Sequence, residues 1–184
     1  MQRGIIFAST NENKYHEVYS LLSAHHGILV DFLKANLVEI QSDSLEEIAK
    51  EKVKSAFAKV GRPVMVEDDG FFIEALGGFP GQYSSYAFKT IGNSGILKLL
   101  VGLANRSASF RSLIAFYDGK ALSIFEGRVN GAISNMITDG GWGYDPIFIP
   151  SGTDLTFAQL KDKKNEYSHR KKAIEKFAHW YEES

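Results

Sequence analysis

Short apolar runs alternate along the chain with amphipathic stretches, and each change of period marks a predicted element. Gly4 to Ala8 is an apolar run of strand length and predicts a buried strand, followed by a helix from Glu12 to Ala24. The second helix has the clearest signature. Ser44-Leu-Glu-Glu47 spells a capping box, and Leu45, Ile48, Ala49, Val53, Ala56, Phe57 and Val60 recur at helical spacing. A strand from Pro63 to Glu67 is expected next. Residues 107–133 read as long strands, with Ser112 to Tyr117 and Ala121 to Phe125 joined at Asp118-Gly119, a dipeptide suited to a hairpin. The chain closes on a helix whose stripe is Ala173, Ile174, Phe177, Ala178 and Tyr181. The pattern predicts an α/β fold with a mixed central sheet and flanking helices.

Composition narrows the possibilities. A chain of 184 residues with 44% apolar residues can bury a substantial core, and no repeat, low-complexity tract or linker divides it. A single domain over residues 1–184 is expected, with room for two lobes around a cleft. Lys and Arg number 21 against 22 Asp and Glu, so there is no global attraction to nucleic acid or an anionic membrane, and any polyanion site must be local. No cysteine is present, which excludes a disulfide scaffold or thiolate metal site and fits a reducing cytoplasm. No segment is long and apolar enough to span a membrane, and Met1-Gln-Arg-Gly4 runs straight into a strand without a signal-peptide h-region. A cytoplasmic protein is expected.

Several polar clusters carry candidate chemistry. At Ser9-Thr-Asn-Glu-Asn-Lys14 a polar turn meets a helix start, where free N–H groups can bind an anion that Lys14 also reaches. An ordinary N-cap by Thr10 or Asn11 with a solvated lysine is the other reading. Lys52 lies beside the buried stripe of its helix, either pointing into a cleft or laying its stem over apolar surface. Glu67-Asp68-Asp69-Gly70 crowds three carboxylates at the expected strand end. Such acids either face water or, as hard oxygen ligands, organise Mg²⁺, with Glu39 as a further ligand. Gly77-Gly-Phe-Pro-Gly81 is either a simple turn or a close approach of backbone to ligand, with Ser84 among the hydroxyls that follow it. In Gly141-Trp-Gly-Tyr-Asp-Pro146, a Gly-rich turn offers an aromatic ring to a base, ahead of the cations Lys164, His169 and Arg170. His169 and Arg170 fall on the line of the last helix's stripe and should point inward, where a cation needs an anionic or carbonyl partner.

These pieces, in this order and over nearly the whole chain, resemble the inosine and xanthosine triphosphate pyrophosphatase family. The matching signatures are Thr10-x-Asn-x-x-Lys14, Glu39-Ile-Gln41, Lys52, Glu67-Asp68-x-Gly70, Gly78-x-Pro-Gly81, Gly143-Tyr-Asp-Pro146, and Lys164-Asn165 ahead of Ser168-His-Arg170. The resemblance implies homodimers of elongated, two-lobed α/β subunits that cleave between the α- and β-phosphates with Mg²⁺. It implies Asp68 as leading metal ligand and water activator, with Glu39 and Glu67 assisting. Ser9, Thr10, Asn11, Lys14, Lys52 and Ser84 fall to phosphate binding, and Trp142, Gly143, Tyr144, Asp145, Lys164, His169 and Arg170 to the base. Trp142 stands where the family commonly has Phe, which keeps an aromatic face. Asp69 stands where the family usually has a small residue, either as a further ligand or outer-shell base or pointing away.

The expected reaction is in-line attack of water on the α-phosphorus of ITP, dITP or XTP, with the lysines neutralising the leaving pyrophosphate. Hypoxanthine and xanthine present an acceptor oxygen at C6 where adenine presents a donor, so donors from His169 and Arg170 favour the oxygen. On that reading Arg170→Ala narrows the preference for ITP over ATP. The alternative function is a regulatory module that binds a purine nucleotide without cleaving it, against which the acidic cluster argues. An RNA-binding role for the basic stretch from Lys161 to Lys172 is disfavoured by the net charge and by the lack of interleaved aromatics.

Overall fold

The computed structural model describes residues 4–184. Its seven strands are β1 (Ile5–Ser9), β2 (Val30–Lys34), β3 (Val64–Ile73), β4 (Pro80–Gly81), β5 (Ser107–Tyr117), β6 (Leu122–Ile133) and β7 (Phe148–Pro150). They form one mixed sheet in the order β2-β1-β3-β5-β6-β7, with β4 paired to β3 off that path. β1 pairs in parallel with β2 and β3, while β3–β4 and β6–β7 are antiparallel. The helices are α1 (Glu12–Tyr19), α2 (Leu45–Val60), α3 (Ser84–Thr90), α4 (Gly92–Leu99), α5 (Phe157–Leu160), α6 (Lys164–Tyr167) and α7 (His169–Glu182). The mixed α/β architecture expected from the sequence is therefore present. No helix of the described residues is long and apolar enough to cross a membrane.

The chain divides into two compact units, one taking residues to Asp68, Ser112–Gly127 and Arg170–Ser184, the other Asp69–Arg111 and Arg128–His169. In the first, alternation along the strands fills two apolar layers. Ile5, Phe7, Met65, Ile114 and Phe116 pack with Val18 of α1 and with Ala173, Ile174 and Phe177 of α7. Ile6, Ala8, Val64, Val66, Leu113 and Ala115 pack with Leu45, Ala49, Val53 and Ala56 of α2. Both faces of β1 are covered, which explains why it reads as an unbroken apolar run. The second unit is built on an aromatic core. Phe71 stacks on Phe110 at 4.4 Å and on Tyr144 at 4.6 Å between ring centroids, and Phe148 and Phe157 close around Phe110.

Local chemistry sets the element ends. The Ser44 hydroxyl accepts from Glu47 N at 3.3 Å, so α2 is capped as expected, but the Glu47 carboxylate accepts from the Ser42 hydroxyl at 2.6 Å. The two-way box occurs instead at Thr156 and Gln159, at the start of α5. The expected hairpin joins β5 and β6 through Asp118, whose carboxylate accepts from the backbone of Lys120 and Ala121 at 2.7 Å each. Those bonds hold its carboxyl below the ordinary aspartate value.

Two expected boundaries are corrected. The helix predicted from Glu12 to Ala24 is α-helical only to Tyr19 and widens to a π-helix over Ser20–His25, which still turns Leu21 and Leu22 inward. The strand expected to stop at Glu67 continues to Ile73, straight through the three carboxylates and Gly70. Gly70 does not turn the chain. It lets strands approach, because a Cβ there would lie 3.1 Å from the Gly81 carbonyl oxygen of β4.

Candidate active site

The first unit places its polar groups where β1 and β3 run side by side. Ile6 pairs with Val64 and Phe7 with Met65, and the same offset carried onward brings the end of β1 level with Glu67. The turn after β1 is organised by its own side chains. Ser9 Oγ accepts from Asn11 N at 3.0 Å, and Asn11 Oδ1 accepts from Asn13 N and Lys14 N at 3.0 and 3.4 Å. Asn11 is thus the N-cap of α1, Thr10 lies beside it partly exposed, and Lys14 is carried on the first turn.

Glu67 is fully buried. Lys14 Nζ lies 2.7 Å from Glu67 Oε2, Arg170 Nε lies 3.2 Å from Glu67 Oε1, and the Ser112 hydroxyl donates to Oε1 at 2.6 Å. Burial alone would raise this carboxyl, but the charges of Arg170 and Lys14 and the bonds from Lys14 and Ser112 overcome it and hold Glu67 ionised, well below the usual range. The other flank of Arg170 donates to Glu17 of α1. Arg170 is inward, as its position on the stripe requires, and its guanidinium joins two carboxylates.

A second cluster involves Lys52, buried on the inward edge of α2. Its ammonium donates to Glu39 Oε1 at 2.6 Å and to Asp68 Oδ2 at 3.4 Å. Glu39 stands on the segment between β2 and α2 and is 62% exposed, while Asp68 is 15% exposed. Two carboxylates within reach of one cation fit the demands of Mg²⁺, which takes one or two protein carboxylates and completes its shell with water and phosphate. No group of three or more His, Cys, Asp or Glu side chains able to hold a metal ion occurs among the described residues.

The second unit holds the aromatic turn. Asp145 N donates to Trp142 O at 3.2 Å, closing a turn in which Gly143 has φ of +61°, a conformation suited to glycine. Asp145, itself buried, accepts from Trp142 N at 3.2 Å and from Lys164 Nζ at 2.9 Å through Oδ2. The Lys164 ammonium lies 5.1 Å from the Trp142 ring centroid and 5.5 Å from that of Phe157. His169 is buried and stacks on Phe110 at 4.7 Å. Tyr144 belongs to the apolar core, where burial pushes its phenol well above the ordinary value, and its hydroxyl donates to the Ser84 carbonyl at 2.8 Å.

Of the residues singled out from sequence, Lys14, Glu67 and Arg170 come together, as do Glu39, Lys52 and Asp68, and as do Trp142, Asp145 and Lys164. Ser112, Glu17 and Phe110 were not foreseen. Each contributes through a contact distant in sequence, and only the strand period around Ser112 offered any signal.

A mixed α/β fold with a carboxylate pair around one cation, and a lysine held against an aromatic turn, defines a protein of the nucleotide-handling class. The chain belongs to the Ham1 family, whose model matches residues 5–180. A dITP/XTP pyrophosphatase of Methanopyrus kandleri is 49% identical over 180 residues, covering 96% of this chain and 95% of that protein. One of the same name from Korarchaeum cryptofilum is 47% identical over 168 residues, covering 90% and 89%. The solved structure of a HAM1 protein from Coxiella burnetii superposes with a TM-score of 0.86 at 30% identity, covering 98% of this chain and 99% of that one.

Proposed function

We propose that the chain, acting as one catalytic domain over residues 1–184, hydrolyses ITP, dITP and XTP to the nucleoside monophosphate and pyrophosphate. The observation that carries this reading is the sharing of one ammonium by Glu39 and Asp68. The names of the relatives support it and supply the substrate class. Glu39 and Asp68 would hold Mg²⁺, which supplies charge neutralisation to the phosphates when bound. Lys52 and Lys14, with the N–H groups and hydroxyls of Ser9, Thr10 and Asn11, hold triphosphate oxygens. Asp68 orients the attacking water and accepts its proton. The new P–O bond forms at the α-phosphorus as the bond to the β-phosphate's bridging oxygen breaks, and pyrophosphate leaves with the electron pair. Glu67, balanced by Lys14 and Arg170, keeps Lys14 in place.

The base is assigned to the second unit. Trp142 stacks on the purine, Lys164 and His169 donate to its C6 oxygen, and Asp145 holds Lys164 in place. An adenine amino group would face donors instead, and a buried mismatch of that kind discriminates by roughly 10²-fold or more. The deciding experiment is release of pyrophosphate and orthophosphate from ITP, XTP, GTP and ATP, with Mg²⁺ and with chelator. Pyrophosphate from ITP and XTP, lost on chelation, is expected. Orthophosphate would place attack at the terminal phosphate and refute the mechanism, and binding without product would leave a regulatory module.

A homodimer is proposed from the apolar side chains on and around α3 and α4. Tyr86 is 71% and Val101 78% exposed, with Ile91, Leu99 and Leu103 also on the surface. Sedimentation at micromolar concentration should give about twice the monomer mass, and Val101→Lys should lower it; a wild-type monomer would end the proposal. Action in the cytoplasm, on the free nucleotide pool, accords with the lack of cysteine.

A further inference from the structure

We propose that Asn93, on the first turn of α4, is a positioning residue that fixes the Trp142 turn for the purine base. The inference rests on the assignment of Trp142 to the base.

Asn93 Nδ2 donates to the Gly143 carbonyl at 3.0 Å, a bond that joins residues 50 apart in sequence. The carbonyl it holds belongs to the central peptide of the turn closed by the bond from Asp145 N to Trp142 O. That peptide is the mobile part of a four-residue turn. Rotating it exchanges turn types while the flanking residues stay nearly in place, and it changes the backbone conformation wanted at the first central position. Gly143, at +61°, occupies the positive-φ form, and glycine alone does not enforce it, because glycine populates both signs of φ about equally. The turn therefore needs a partner that reads the direction of the Gly143 carbonyl, and Asn93 supplies it.

The rest of the turn is held separately. Asp145 accepts from Trp142 N, and Tyr144 donates to the Ser84 carbonyl. Neither bond touches the peptide between Gly143 and Tyr144. Asn93 also carries a cost that a purely structural residue would avoid: its Oδ1 is buried and accepts no hydrogen bond. A leucine of similar volume would remove that cost and the Gly143 bond with it. The amide is therefore explained by the bond it makes, not by packing.

The test compares a ligand that has a base with one that has none. Affinities for IMP and for inorganic pyrophosphate, both with Mg²⁺, are measured for wild type, Asn93→Leu, Asn93→Ser and Trp142→Ala, alongside KM and kcat for ITP. The chain has two tryptophans, so the emission of Trp142 is followed in a Trp180→Phe background. For both Asn93 variants IMP affinity should fall roughly 5- to 20-fold with pyrophosphate affinity within about twofold, KM for ITP should rise with kcat nearly unchanged, and Trp142 emission should broaden. Equal losses for both ligands, or no loss, would overturn the proposal, and Asn93→Ser keeps the answer available should Asn93→Leu fail to fold. Trp142→Ala separates the two readings. If it weakens IMP and the Asn93 variants do not, only the positioning role falls; if it has no effect on IMP, the base assignment falls and the inference with it.

Discussion

Asp68→Asn should abolish pyrophosphate release from ITP, by about 10³-fold or more, while leaving a folded protein that still binds nucleotide. A positioned general base is worth about 10²- to 10⁴-fold, and the same carboxylate is one of only two oxygen ligands near Lys52. The substitution preserves volume and removes one charge. Lys52 retains Glu39 at 2.6 Å, and the lost contact with Asp68 was the longer of the two at 3.4 Å. A partly solvated pair of that kind contributes about 0–1 kcal/mol, so the melting temperature should move by only a few degrees. Rate, melting temperature and ITP affinity measured on one preparation decide the matter. A near wild-type rate would remove Asp68 from the chemistry. A parallel collapse of rate and melting temperature would make it structural.

The difference between what could and could not be read in advance lies in the range of the interactions. The stripe of α2, its Ser44 cap, the Asp118 turn and the inward line of α7 all follow from residues within a few positions of one another. The inward placement of Lys52 and Arg170 was legible for the same reason, since a cation on an apolar stripe is anomalous wherever the fold puts it. The course of β3 was not. Three successive carboxylates normally end a buried strand, because an uncompensated charge inside a sheet is expensive. Here the compensation comes from far away in sequence: Lys14, Ser112 and Arg170 serve Glu67, and Lys52 serves Asp68. Nothing between residues 60 and 75 encodes those partners. The same holds for Tyr144, which reads as one more aromatic in a Gly-rich turn, yet packs into the core between Phe71 and Phe88. The family signature identified the site residues as a set, but which of them pair within the protein is a property of the folded chain.

Arg170→Met should lower stability by roughly 3–5 kcal/mol, which for a chain of this size corresponds to about 6–20 °C in melting temperature. The side chain is 2% exposed and joins Glu67, which is wholly inaccessible, to Glu17. Methionine fills much of the volume but leaves Glu67 with only Lys14 and Ser112 against the penalty of burial that would otherwise neutralise it. If that residual charge is the cause, Glu67→Gln added to Arg170→Met should recover part of the loss, a coupling that a double-mutant cycle isolates. Arg170→Lys should fall between, since an ammonium cannot serve two carboxylates with the geometry of a guanidinium. The same variants decide between two roles for this residue. A large fall in melting temperature with the ITP-over-ATP preference unchanged assigns Arg170 to the carboxylate network that holds Lys14. Retained stability with a narrowed preference assigns it to the base and removes the network from any account of why Glu67 stays ionised.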